Sequence, residues 1–130
     1  VFLNLLGSVK KLAEGKNFAY VATVRKDGSP QVTPVWVDHD GENLLINTSD
    51  KRAKFVNTKR DPRVAVAIAD SANPYKKVVA YGKVVGYEFE GADKHIDKLA
   101  KKYLGKDKYP GKNPQERRVI LKINVERVVE

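Results

Sequence analysis

Residues 18–24, 31–37 and 42–48 are three short runs rich in aromatic and β-branched residues, and little chain separates them. The separators are Asp27-Gly28 and Asp38-His39-Asp40-Gly41, both of turn-forming composition. Strands joined by turns this short must run antiparallel, because parallel neighbours need a crossover of a dozen residues or more. Residues 64–69, 75–89 and 118–129 add three more apolar stretches, and Gly82 and Gly86 predict a bend or bulge in the long one. Helical spacing is expected over 3–14 (Leu5, Val9 and Leu12 on one face, Gly15 as the stop), over about 51–58, and over 92–104 with Gly105 closing it. The expected fold class is mainly β: about six antiparallel strands curled into a small barrel, with two or three helices.

Several strands lack clean alternation. In the 31–37 run one face carries Val32, Pro34 and Trp36, and the other carries Thr33, Val35 and Val37. A strand apolar on both faces must be covered on both. A barrel covers only the inner one, so a helix or a second copy of the chain has to cover the other, and a homodimer is expected. Pro34 removes one ladder donor, which predicts a sheet edge or a place where a ligand meets the backbone.

The 130 residues suit one domain spanning 1–130, and 42% hydrophobic with 32% charged content reads as globular. No apolar run approaches the roughly 18 residues that cross a bilayer. The stretch VFLNLLGSVKKLAEG is a poor match to a signal peptide, and with no cysteine present a cytoplasmic location is the default expectation. The net charge of +9 implies an anionic partner or a well-solvated surface.

The residues most suggestive of chemistry run from 44 to 63. An apolar strand enters Asn47-Thr48-Ser49-Asp50, and Lys51, Arg52 and Lys54 follow at the expected start of a short helix. Hydroxyl and amide donors, unpaired helix N–H groups and full positive charges together suit a phosphate. Cations at a helix N-terminus oppose its dipole, at a cost of ~0.3–1 kcal/mol each, unless an anion offsets them. The bland alternative is a solvated basic helix start.

Elsewhere the signals are weaker. Thr33-Pro34-Val35-Trp36 would suit a flat aromatic ligand, but core packing explains apolar strand residues equally simply. His39 and His95 lack ligand spacing for a metal and read as surface residues. Without cysteine or a Ser–His–acid set, any chemistry rests largely on a cofactor. The basic stretch from 98 to 118 reads as a solvated face or as an electropositive rim for an acidic ligand tail.

The run GSPQVTPVWVDHDGENLLINTSDKRAKFVNTKRDPRVAVAI, continued by NPYKKVVAYGKV, GADKHIDKLAKKYLGKDKYPG and ERRVILKINVERV, resembles the pyridoxamine 5'-phosphate oxidase-like split β-barrel family. Within it the chain is most similar to the deazaflavin (coenzyme F420)-dependent branch. The resemblance implies a six-stranded antiparallel, Greek-key split barrel of FMN-binding type, dimeric, with a cofactor at each end of the subunit interface. Arg52 and Lys54 would hold the cofactor phosphate with Lys51 beside them, and Asn47, Thr48 and Ser49 would contact the same group. Val32, Thr33, Pro34 and Val35 would pass beside the ring. The second subunit would contribute the Asn73-Pro74-Tyr75 loop and Arg117 or Arg118. One departure is Thr58, which stands where leucine commonly follows the asparagine and is expected to weaken helix packing slightly.

The leading expectation is an oxidoreductase transferring hydride between a bound flavin-type cofactor and a small organic substrate. FMN and F420 share the ring and ribityl phosphate, and the basic excess favours the acidic tail of F420. A carrier without turnover is the alternative, and a small basic barrel binding nucleic acid is a third reading. Trp36, Phe18 and Phe89 lie within apolar strands rather than among the lysines, which argues against the third.

Overall fold

The computed structural model describes residues 5–130. Residues 3 and 4 of the first expected helix lie outside that range. Seven strands form one antiparallel sheet: β1 (Ala19–Val24), β2 (Pro30–Val35), β3 (Asp38–His39), β4 (Asn43–Ser49), β5 (Arg63–Ala69), β6 (Lys77–Glu88) and β7 (Arg118–Val129). Three helices accompany it: α1 (Gly7–Glu14), α2 (Ala53–Arg60) and α3 (Ala92–Leu104). Six strands were expected. The seventh, β3, comes from residues whose composition reads as a turn, yet Asp38 and His39 pair with Leu45 and Leu44.

The spatial order is β2-β1-β5-β6-β7-β4-β3. The two edge strands, β2 and β3, are therefore consecutive in the chain, with Trp36 and Val37 alone between them. Laid flat, seven strands would set those edges roughly 29 Å apart, whereas the link from residue 35 to residue 38 reaches at most about 11 Å. The sheet must curl until its edges meet. They meet without pairing, and that unpaired seam is the split of the barrel.

Inside the curl Val21, Leu44, Ile46, Val66, Ile68, Val119, Leu121 and Ile123 are fully buried, and α1 adds Val9 and Ala13. β6 is bulged beside Gly82 and Gly86, as its glycines predict. At Gly82 a Cβ would sit 1.9 Å from the backbone oxygen of Asn124, so only glycine permits β7 to approach.

α3 lies over the seam. Its C-terminus closes on Gly105 in the left-handed conformation (φ 71°), whose N–H returns to the Lys101 carbonyl. The Tyr103 hydroxyl accepts from the Val37 N–H (3.1 Å) and donates to the Asn17 carbonyl (2.5 Å). The Lys102 ammonium donates to the carbonyls of Val37 (2.7 Å) and Ala13 (2.8 Å). Side chains of α3 thus satisfy backbone groups that the missing β2–β3 ladder leaves unpaired. Trp36 stacks on Tyr103 (centroids 5.1 Å apart, planes 5° apart) in a second small core with Ile96, Leu99 and Tyr109.

The outer face of the sheet carries an apolar row across five strands and a second row that ends in Arg127. Cross-strand registers place Pro34, Tyr20, Ala67, Val79 and Val129 in one row, and Val32, Ala22, Ala65, Tyr81 and Arg127 in the next. Val32 is 57% exposed, Tyr20 49% and Val129 50%.

Thr58, the departure on α2, is buried. Its hydroxyl donates to the Lys54 carbonyl (2.7 Å) and accepts from the Tyr87 hydroxyl (2.8 Å), so a buried polar atom is fully matched.

Candidate functional site

Where the seam opens between β2, β4, α2 and α3, a hollow of about 220 Å³ forms. One wall is apolar and aromatic: Phe18, Pro34, Val35, Trp36, Ile96 and Tyr109. The other is polar and cationic: Asn47, Thr48, Arg52, Lys54 and Arg118. β2 is an edge strand, so Pro34 costs no ladder bond on its open side, and at the end of the strand it borders both the outer face and the hollow.

β4 delivers Asn47 and Thr48 at its end, and the chain then turns through Asp50 and Lys51 into α2. Arg52 is extended (φ −85°, ψ 151°) and serves as the N-cap of α2 without any side-chain cap. Apart from helical ladders, no backbone hydrogen bond among the described residues takes the N–H of Ala53 or Lys54, so the first turn keeps free donors. Lys54 is buried at 8% exposure, and its ammonium donates only to the Thr33 hydroxyl (3.2 Å). Burial first, and then the charges of Arg52 and Arg118, hold its pKa below the ordinary lysine value. Burial likewise lowers the Arg118 pKa. None of the ion pairs among the described residues involves Arg52, Lys54 or Arg118.

Three mutually repelling cations with no carboxylate partner are unfavourable unless an anion joins them. A second observation points the same way. The hydroxyls of Thr48 and Ser49 are buried with no hydrogen-bond partner among the described residues, at a cost of ~1–3 kcal/mol each. Thr48 lines the hollow, so this unmet hydrogen-bonding need lies at its edge. The residues present fit a phosphate group beside a flat apolar ring.

Asn47 is differently employed from the expected phosphate donor. One side-chain N–H goes to the Ala92 carbonyl (2.9 Å) and the other to His95 Nδ1 (3.1 Å). Its carbonyl oxygen accepts from Arg118 Nε (2.9 Å). Asn47 holds a cation in place and has no donor left for a ligand.

The two histidines are not surface residues: the side chain of His95 is 9% exposed and that of His39 13%. His39 Nε2 lies 2.8 Å from Glu14. His95 Nε2 lies 3.0 Å from the Asp38 carboxylate, which Lys98 also contacts at 3.1 Å. Burial alone would raise the Asp38 pKa, but hydrogen bonds from His95, the His39 N–H and Lys98 outweigh it and hold the carboxyl well below the usual range.

Other expected site residues lie elsewhere in this chain. Val32 points to the exposed outer face. Lys51 and Arg117 line a separate depression with Phe89, over which the Arg117 guanidinium sits at 4.0 Å. Asn73 and Tyr75 form an exposed turn, and Tyr75 borders a hollow beside α1 that shares no lining residue with the first. Sequence reasoning passed over Phe18 and His95 as site residues, gave Tyr109 only as stacking surface near a basic rim, and placed Arg118 only as a second-subunit contributor. Arg118 lies across from Ser49 at the start of β7 and lines the hollow, which Arg117 does not.

The curled sheet, its unpaired seam and a cationic hollow beside an aromatic wall define a split barrel with an open, positively charged mouth. Residues 5–130 match the sequence model that describes pyridoxamine 5'-phosphate oxidase, and the chain belongs to that family. A solved F420 reductase shares 31% identity over 92% of this chain and 94% of its own, with a TM-score of 0.80. HupZ from Group A Streptococcus (20% identity, 95% and 91% covered, TM-score 0.66) and General Stress Protein 26 from Bacillus anthracis (18%, 93% and 88%, 0.66) share the fold. The family places the chain among flavin-related oxidoreductases in general terms.

Proposed function

We propose that the protein is an oxidoreductase that seats a flavin-type cofactor in the seam, coenzyme F420 in preference to FMN, and works on a small organic substrate. The observation that carries this is the set of Arg52, Lys54 and Arg118 without a carboxylate, next to the orphaned Thr48 hydroxyl. Arg52, Lys54, the first N–H groups of α2 and Thr48 would hold the ribityl phosphate, and Pro34, Val35 and Trp36 would line the ring. A bound flavin or deazaflavin supplies hydride transfer. The chain's own task is to bind, to orient and to keep water from the ring. Among the described residues of the hollow there is no carboxylate and no histidine, so proton delivery from solvent fits the lining.

The absence of a carboxylate and a histidine from the described lining favours a second reading, a carrier that binds the cofactor without turnover. The 31%-identical F420 reductase supports the first. The apolar outer face supports a homodimer, in which the Asn73–Tyr75 turn of one copy would approach the hollow of the other.

Absorbance titration with FMN and with F420, followed by turnover with a panel of electron-poor alkenes, tests the proposal. Binding of at least one cofactor is expected. F420 binding is also expected to weaken more steeply with salt, because its acidic tail makes additional screened contacts. Failure of both cofactors to bind overturns the reading, tight binding without turnover favours the carrier, and equal salt slopes remove the preference for F420.

A further inference from the structure

The hydrogen bonds around Asn47 leave one assignment for His95. A backbone carbonyl only accepts and a guanidinium only donates. Ala92 O therefore fixes the amide nitrogen of Asn47, and Arg118 Nε fixes its oxygen. The nitrogen side also faces His95 Nδ1 at 3.1 Å, so Nδ1 must accept. The ring proton then sits on Nε2, where the Asp38 carboxylate receives it at 3.0 Å. Turning Asn47 over would set oxygen against the Ala92 oxygen and N–H against the Arg118 N–H, losing both bonds.

We infer that His95, as the Nε2–H tautomer, is a positioning residue of the anion pocket: it locks the Asn47 carboxamide, and Asn47 in turn aims Arg118 into the hollow. Asp38 sets the tautomer, much as a carboxylate behind a ligating histidine sets its ring. Lys98 and the His39 N–H hold Asp38 in place. His95 does not line the hollow and touches no ligand there. Its influence passes through two hydrogen bonds from α3 to β4 and from β4 to β7. The inference rests on the anion-binding reading of the pocket and adds to it a reason why Arg118 points one way.

Isosteric substitutions separate the two ring nitrogens. His95→Asn keeps an acceptor near the position of Nδ1, His95→Gln keeps a donor near Nε2 but no acceptor for Asn47, and His95→Leu keeps neither. With FMN and F420 as probes, dissociation constants are expected to rise about tenfold in the Leu and Gln variants. The Asn variant is expected to stay within about threefold of wild type. In the unliganded wild type, long-range ¹⁵N NMR at neutral pH should show His95 with a bare Nδ1. Wild-type failure to bind either probe sinks the pocket reading and this inference with it. Wild-type binding with an indifferent Leu variant, an Asn variant no better than Leu, or a protonated Nδ1 overturns the inference alone.

Discussion

Lys54 should oppose stability to binding. Replacing it with methionine keeps the buried stem and removes the charge. Lys54 is 8% exposed, and its ammonium has one neutral partner in Thr33 and faces two other cations. Losing the Thr33 bond costs the ligand-free protein ~1 kcal/mol. Releasing a desolvated, repelled charge returns that and more, since apolar replacement of buried charges often stabilises by ~1–4 kcal/mol. The ligand-free Lys54→Met protein should therefore match wild type or exceed it by up to about 2 kcal/mol, with each kcal/mol read as roughly 3–5 °C in melting midpoint. Binding should move the other way. A charge-assisted hydrogen bond to phosphate is worth ~1.5–3 kcal/mol, a roughly 10- to 150-fold rise in Kd. Calorimetric titration with FMN and F420, beside thermal melts of both proteins without ligand, measures the two effects. A variant that loses about 2 kcal/mol of stability yet binds normally would refute the reasoning and make Lys54 a structural residue.

The same lysine sets a pH dependence. Its folded pKa lies below the ordinary 10.5, so the unfolded chain binds more protons in the alkaline window between the two values. The penalty for burying it charged is complete below the folded value and fades as pH climbs. Ligand-free stability should gain from this residue with rising pH while cofactor affinity falls, and Lys54→Met should flatten both trends in urea melts and titrations. Gly82→Ala drives a Cβ to 1.9 Å from the Asn124 oxygen and should cost at least about 2 kcal/mol in urea denaturation. A cost under about 0.5 kcal/mol would mean that β7 yields easily. Val32→Asp places a charge in the apolar outer face and should halve the mass seen in sedimentation. A wild type that already sediments as a monomer would remove the dimer.

Much of the fold was legible because local rules and tertiary contacts agree. The bounds of α3 and β7 follow from Gly105 and from a stretch rich in valine and isoleucine, and both match the structure. β3 was not legible, since Asp38-His39-Asp40-Gly41 carries turn chemistry and its two-residue pairing is imposed from outside by β4. α2 begins later than its spacing suggests because Arg52 is extended and acts as the cap. In the site, Arg52, Lys54 and Thr48 were legible from strand-to-helix chemistry. The Asp38–His95 contact was not, because 57 residues separate its ends and neither sits in a recognisable motif. The choice between Arg117 and Arg118 was not legible even with β7 placed at 118–129, because which arginine reaches the hollow depends on how β7 pairs with β4.

The seam explains why the site sits where it does. Closing the barrel by a β2–β3 ladder would have paired the edges and left no hollow. Two linking residues bring the edges together without that ladder, so other groups must serve the backbone there. α3 supplies them at one end through Lys102 and Tyr103, where Val37 takes the bonds a strand would have made. At its other end the same helix presents His95 and Ile96, beside a part of the seam that stays open. Sealing and opening thus depend on one rigid element only 13 residues long. A substitution that shifts α3, such as Tyr103→Phe with its loss of two backbone bonds, should consequently disturb the pocket as well as the seam. The expected signature is a coupled loss: a stability decrease of roughly 1–3 kcal/mol accompanied by weaker cofactor binding, although Tyr103 lies outside the hollow. Full affinity in a destabilised Tyr103→Phe protein would show that the two ends of α3 act independently.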